Sequence, residues 1–167
     1  MASTELKPSW LTVPADNNEL TKRIWPQGTT RDADGEVVFG GVPSSDLTAQ
    51  FGTPLYVVDQ SEFERNGLEV KASLEAAAQR IGTEAKVYYA GKAFLCTEVV
   101  RWADALGLNV DVASGGELAI ALAAGIDPKR IGLHGNNKSA AEIGRAVSAG
   151  VGAIVIDSEI EIERIAA

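Results

Sequence analysis

Residues 86–92 read KVYYAGK, a short run suited to a buried strand that stops on a lysine. Period-two alternation puts Tyr88, Ala90 and Lys92 on one face of that strand, and Val87, Tyr89 and Gly91 on the other. A primary amine at the carboxyl end of a strand, next to a small alanine, has three uses. It forms a Schiff base, it acts as a general base, or it simply leaves the sheet for water. Two other segments repeat the arrangement. In NVDVAS (109–114) Asp111 lies opposite Val110 and Val112, and in IGLHG (131–135) His134 lies opposite Ile131 and Leu133. Lys92, Asp111 and His134 therefore share one expected face of three consecutive strands. A neighbouring carboxylate favours the ammonium form of a lysine and can exchange protons with it. Taken singly, Asp111 also reads as an acceptor for backbone amides, His134 as a core histidine, and Glu117 as an acid in the first turn of a helix. Cys96 reads as a small hydrophobe, and one histidine with one cysteine makes no closed zinc set.

The elements that position these residues are regular after Gly52-Thr53-Pro54. Strands are expected at 55–59 (LYVVD), 86–92, 109–114, 131–135 and 153–157. Between and after them, helices are expected from Ser61 to about Arg80 (with Phe63, Leu68, Val70 and Leu74 at helical spacing), from Thr97 to Gly107, over Gly116–Ala124, from Ser139 to Ala149, and from Ser158 onward. Strict βα alternation implies a parallel sheet with right-handed crossovers. An open doubly wound sheet and a (β/α)8 barrel both satisfy it, and the barrel needs three further βα units. No G-x-G-x-x-G follows the first strand and no P-loop is present, which weakens a nucleotide-binding open sheet. Gly115-Gly116 reads as a helix-entry turn. Residues 1–36 are polar and irregular, an extended arm carrying Trp10 and Trp25. A strand follows at 36–41, then a short helix Asp46–Phe51 capped by Ser45.

The chain has 167 residues, 46% of them hydrophobic and 23% charged, an ordinary composition for a folded domain. Its net charge of −8 argues against nucleic acid and anionic membrane surfaces as partners. A single cysteine fits a reducing cytoplasm. The N-terminal MASTELKPSW has no apolar run after its lysine, so no secretory signal is expected, and no stretch is long and apolar enough for a membrane span.

Four motifs in order now carry a resemblance: YAGKAFLCT (89–97), VASGGEL (112–118), HGNNKS (134–139) and IDSEIEIERI (156–165), preceded by FGTPLYVVD (51–59). From about residue 37 onward the sequence resembles the amino-terminal part of the bacterial diaminopimelate decarboxylases. These belong to the group IV, alanine racemase-like, pyridoxal-phosphate decarboxylases. The resemblance implies a (β/α)8 TIM-type barrel, here as its first five βα units plus an N-terminal arm and strand. Residues 1–50 would pair through that strand with a β-domain outside this chain, and 51–167 would begin the barrel. It implies pyridoxal 5′-phosphate as cofactor and decarboxylation of meso-2,6-diaminopimelate to L-lysine by a cytoplasmic homodimer. Lys92 takes the Schiff-base position. Lys92, Asp111 and His134 would contact the cofactor, Ala90 and Glu117 would border the pocket, and no metal is involved. The HGNNKS form favours this branch over the ornithine branch, with an ornithine- or arginine-type decarboxylase of the group as the alternative. The family's phosphate loop, its ring-stacking histidine and its distal substrate groups fall beyond residue 167. The expectation is therefore the front portion of a longer protein, inactive by itself.

Overall fold

The computed structural model describes residues 8, 10–12, 15, 16, 18–22 and 24–167. Part of the irregular arm read from the sequence, including Pro14 and Asn17, lies outside these residues. The chain divides into two compact units, one ending at Asp59 and one spanning Gln60–Ala167.

The first unit is an antiparallel meander of β1 (Thr29–Arg31), β2 (Val37–Phe39) and β3 (Val42–Pro43), followed by α1 (Ser44–Phe51). Asp32 builds the first turn, its side chain accepting from the backbone N–H groups of Asp34 and Glu36 at 3.0 and 2.9 Å. The second turn is Gly40-Gly41, with φ of 55° and 87°, the left-handed pair that a two-residue hairpin requires. Several expectations are corrected in this unit. A strand forms at Thr29–Arg31, inside what reads as an irregular arm, because β2 gives it a ladder partner. Trp10 is 78% exposed, while Trp25 packs with its ring centroid 6.4 Å from that of Phe39. Helix α1 begins at Ser44, and Ser45 is not its cap. Glu36 takes that role from eight residues upstream, accepting from Ser44 Oγ and the Ser45 N–H at 3.0 and 2.5 Å. Residues 55–59 form no strand; Tyr56, Val57 and Val58 stay exposed. Strand propensity is expressed only on a paired, half-buried surface, and this segment has no ladder partner among the described residues.

The second unit alternates α2 (Gln60–Arg80), β4 (Tyr88–Ala90), α3 (Thr97–Ala105), β5 (Asn109–Val112), α4 (Gly115–Ala124), β6 (Ile131–Leu133), α5 (Ala140–Ala149), β7 (Ala153–Ile154) and α6 (Glu159–Ala166). Four of the five expected strands form, all parallel and in sequence order β4-β5-β6-β7. The helices start and stop where local chemistry dictates. Ser114 accepts from the Glu117 N–H to open α4. Ser139 and Glu142 form a reciprocal capping box on α5, and Gly125 and Gly150 close these helices in the left-handed region. Ser158 does not cap α6; instead Glu161 reaches back to accept from the Asp157 N–H at 3.0 Å.

Burial follows the alternation in β5, where Val110 and Val112 are fully enclosed and Asn109 and Asp111 are partly open. With Ile131 and Leu133 of β6 they meet Val100, Ala103, Leu118, Ala121 and Ala146 of the covering helices. In α2, Phe63 packs on Tyr89 and Trp102, at centroid distances of 5.1 and 5.7 Å. Leu68, Val70 and Leu74 do not join the core and remain about half exposed. Gly67 is the residue facing Leu106 and Leu108, so the inner stripe runs through positions 63 and 67. The consequence for function lies on the other side of the sheet. The helices cover one face with apolar side chains, and the opposite face carries Asp111 and the space above Gly132.

Candidate active site

Lys92 is not on the strand itself. β4 ends at Ala90, and Gly91–Ala93 form one 3-10 turn that carries the amine past the strand end. Gly91 permits this turn: a Cβ there would meet the Asp111 carbonyl oxygen at 2.8 Å. The far end of the turn is held by Tyr89, whose hydroxyl donates to the Phe94 carbonyl at 2.6 Å. Burial pushes the Tyr89 phenol up, so it stays the protonated donor this bond needs. Asp111 sits in β5, in register with Ala90 on one side and Gly132 on the other. His134 follows β6 directly, its N–H donating to the Val112 carbonyl at 2.8 Å.

These three residues line one cavity of about 250 Å³ at the carboxyl ends of the strands, together with Ala113, Gly135, Asn136, Val155 and Asp157. Gly132 lacks the side chain that would crowd the Tyr88 ring and the Asp111 carboxylate. Gly135, at φ 112°, lies against the Ala113 carbonyl oxygen, where a Cβ would approach to 2.8 Å. Both glycines sit where neighbouring groups come close, and Gly135 lines the cavity itself.

Asp111 is the most constrained group in the site. Its side chain is 16% exposed, and Oδ1 is buried without a hydrogen-bond partner. His134 Nδ1 stands 3.5 Å away, within ion-pair reach but making no hydrogen bond. Burial pushes the Asp111 carboxyl above its ordinary range; His134 and Lys92 pull it back down, and Glu117 adds to the rise. A buried oxygen with an unmet acceptor capacity is costly unless a ligand or proton satisfies it.

The other two expected pocket residues are placed differently. Ala90 pairs across to Asp111 but is not among the residues lining the cavity. Glu117 is also absent from that lining, and its carboxylate accepts from the Ala113 N–H at 2.6 Å, tying the end of β5 to the start of α4. Sequence reasoning missed Asn136, Val155 and Asp157. The signal was present for the last two: alternation from β7 puts Val155 and Asp157 on one face, past the strand end, by the same rule that singled out Lys92. It also missed Lys138 and Glu161, which are 2% and 1% exposed.

The donor set fits pyridoxal phosphate. An amine on a strand-end turn faces the cavity, as condensation with an aldehyde requires, and an unsatisfied carboxylate oxygen and an imidazole stand beside it. Among the described residues, no group of three or more His, Cys, Asp or Glu side chains is arranged to hold a metal ion, and no helix is long and apolar enough to cross a membrane.

Comparison with known proteins follows the same line. The chain is 49% identical over 146 residues to the diaminopimelate decarboxylase of Mycobacterium tuberculosis, covering 87% of this chain and 31% of that protein. It spans about a third of the length of the curated relatives it matches. Among solved structures, the diaminopimelate decarboxylase of M. jannaschi superimposes with a TM-score of 0.73 and 31% identity over 84% of this chain and 32% of that one. The same enzyme in co-complex with L-lysine gives 0.67 and 30%, with the same coverage of both chains. The model of the family described as pyridoxal-dependent decarboxylase, pyridoxal binding domain, matches residues 68–167, the segment that holds every residue lining the cavity. On that match, the chain belongs to the pyridoxal-dependent decarboxylases and carries their pyridoxal binding domain.

Proposed function

We propose that Lys92 is the attachment point for pyridoxal 5′-phosphate, and that the protein built on this domain decarboxylates meso-2,6-diaminopimelate to L-lysine. The observation that carries this reading is the convergence of the Lys92 amine and the unsatisfied Asp111 oxygen on one cavity. When bound, pyridoxal phosphate supplies an electron sink for the pair left behind as carbon dioxide departs. Lys92 would hold the aldehyde carbon at a fixed place while the cavity mouth stays open to an amino acid. Its Nζ, at the cavity, would also serve to carry a proton. Asp111 would accept a hydrogen bond from a protonated group at Oδ1, and its burial keeps that carboxyl close to proton exchange. His134 stands on the Asp111 side of the cavity and would orient that carboxylate. Ala90 and Glu117 act at one remove, through the β4–β5 ladder and the β5–α4 junction.

The diaminopimelate assignment is supported by the HGNNKS motif and by the names of the relatives at 43–49% identity. We place the working enzyme in the cytoplasm as a homodimer, with the barrel begun at residue 51 and the strand within residues 1–50 pairing with a β-domain. The test uses the protein expressed from its complete reading frame. Borohydride reduction in the presence of pyridoxal phosphate, followed by peptide mass mapping, is expected to give a phosphopyridoxyl adduct on the Lys92 peptide. Release of carbon dioxide and lysine from meso-2,6-diaminopimelate is expected from the same preparation. An adduct elsewhere, or turnover of ornithine with none of diaminopimelate, overturns the assignment.

A further inference from the structure

Two walls of the cavity come from segments just past the strand ends, where His134 N–H donates to the Val112 carbonyl at 2.8 Å and Val155 N–H to the Leu133 carbonyl at 2.9 Å. One is the turn His134–Asn136 after β6. The other is Val155–Asp157 after β7. We propose that the buried ion pair Lys138–Glu161 braces these two walls at their working separation, so that both are positioning residues for the reaction proposed above. The inference rests on that reading of the site.

The pair touches both walls and belongs to neither. Lys138 Nζ lies 2.5 Å from the Gly135 carbonyl oxygen, 2.9 Å from Glu161 Oε2 and 3.6 Å from Asp157 Oδ2. Two of the three N–H donors of the ammonium thus meet acceptors at hydrogen-bond distance, and Asp157 adds a carboxylate at ion-pair distance. Glu161 Oε2 also accepts from the Asp157 N–H at 3.0 Å, fixing the backbone of the second wall. Arg164, one turn further along α6, donates to the Lys138 carbonyl oxygen at 2.7 Å. The turn, the strand end and the helix are thus cross-linked around one buried charge pair.

Two features separate a brace from ordinary packing. Glu161 is the sole buried residue of α6, whose Ile160 and Ile162 stay about half exposed. The helix is therefore seated through a carboxylate where an apolar side chain would serve stability as well or better. A buried ion pair instead fixes direction and distance, which apolar contact does not. The directions fixed here are those of Gly135 and Asp157, both cavity-lining.

The test compares the protein from its complete reading frame with the double variant Lys138→Met/Glu161→Leu, which replaces the pair by apolar side chains. Three readouts apply: thermal melting, hydrogen exchange of peptides covering 134–139 and 155–157, and steady-state kinetics with meso-2,6-diaminopimelate. Borohydride capture of pyridoxal phosphate at Lys92 serves as the internal reference. The double variant is expected to melt within a few degrees of the parent and to capture the cofactor at Lys92 unchanged. Exchange in both wall peptides is expected to rise about tenfold, with kcat/KM falling on the order of 100-fold, the loss that goes with misplacement near 1 Å. Parental exchange in both wall peptides of the folded double variant overturns the proposal. If that variant does not fold, Glu161→Gln decides. It keeps an amide oxygen for Lys138 and removes the charge, and unaltered exchange in 134–139 is again the overturning result. Absence of cofactor capture by the parent would overturn the functional reading instead, and the exchange measurements would still decide the brace.

Discussion

Gly91→Ala tests whether the backbone ahead of Lys92 is as tightly placed as the structure indicates. The added Cβ would sit 2.8 Å from the Asp111 carbonyl oxygen and 3.3 Å from a methyl group of Leu95. Ordinary contact begins at 3.4 Å, so a gap of 0.6 Å must open between the turn and β5. Asp111 cannot yield easily, because β5 is hydrogen-bonded to β4 on one side and β6 on the other. The turn must move, and Lys92 moves with it. Overpacking of this kind costs about 1–3 kcal/mol, which corresponds to a fall in melting temperature on the order of 10 °C for a domain of this size. On the function proposed above, a shift of more than half an ångström at the Lys92 amine is expected to slow attachment of pyridoxal phosphate roughly tenfold or more. Melting is followed by circular dichroism, and attachment by absorbance and borohydride trapping. Gly144→Ala is the control: it lies within α5, a Cβ there meets nothing within 4 Å, and the change is expected to stabilise by about 0.5–1 kcal/mol. Parental melting and parental attachment in Gly91→Ala would refute the steric argument.

Two further predictions concern protonation. The Glu142 carboxyl is held below its ordinary range, first by the Ser139 N–H, then by the Ser139 hydroxyl and the Gly115 N–H. A depressed folded-state value contributes stability above the unfolded value of 4.5 and loses it as pH falls through the folded value. Glu142→Gln is therefore expected to melt lower than the parent at neutral pH, with the gap closing on acidification below 4.5; a gap that stays constant into strong acid would contradict this. Asp111 has the opposite sign. Burial raises its folded value above 3.8, so its ionisation costs stability as pH rises through the folded value. Asp111→Asn is expected to raise the melting temperature at neutral pH and to match the parent near pH 3. A variant that melts below the parent at neutral pH would show that the carboxylate has a stabilising partner.

The residues that were legible in the sequence are those whose neighbours are near in the chain. Val110 and Val112 against Asp111 is a local alternation, and the structure follows it. Ser139, Glu142 and Gly150 are local caps, and the helix they bound starts and stops there. Lys92, Asp111 and His134 share a cavity because the strand-end rule applies to each of them separately. The misses depend on partners that no local pattern reveals. Glu36 caps a helix eight residues on. LYVVD has strand propensity without a ladder. Lys138 lies in a polar motif, and its enclosing partner Glu161 comes from a different βα unit. Glu117, expected at the pocket, does not line the cavity, and its carboxylate holds a backbone N–H.

The sequence-order sheet, β4-β5-β6-β7, also governs how the site comes into being. Each strand pairs with the one made immediately before it, so every new contact closes a short loop and the sheet grows by accretion during synthesis. The amine of Lys92 emerges first and waits through three more βα units for the rest of its surroundings. Asp111 arrives with the second strand, His134 with the third and Asp157 with the fourth. A nascent chain therefore presents the Lys92 amine well before the walls of its cavity, and, on the function proposed above, retention of an aldehyde ligand is expected to track β7, not β4.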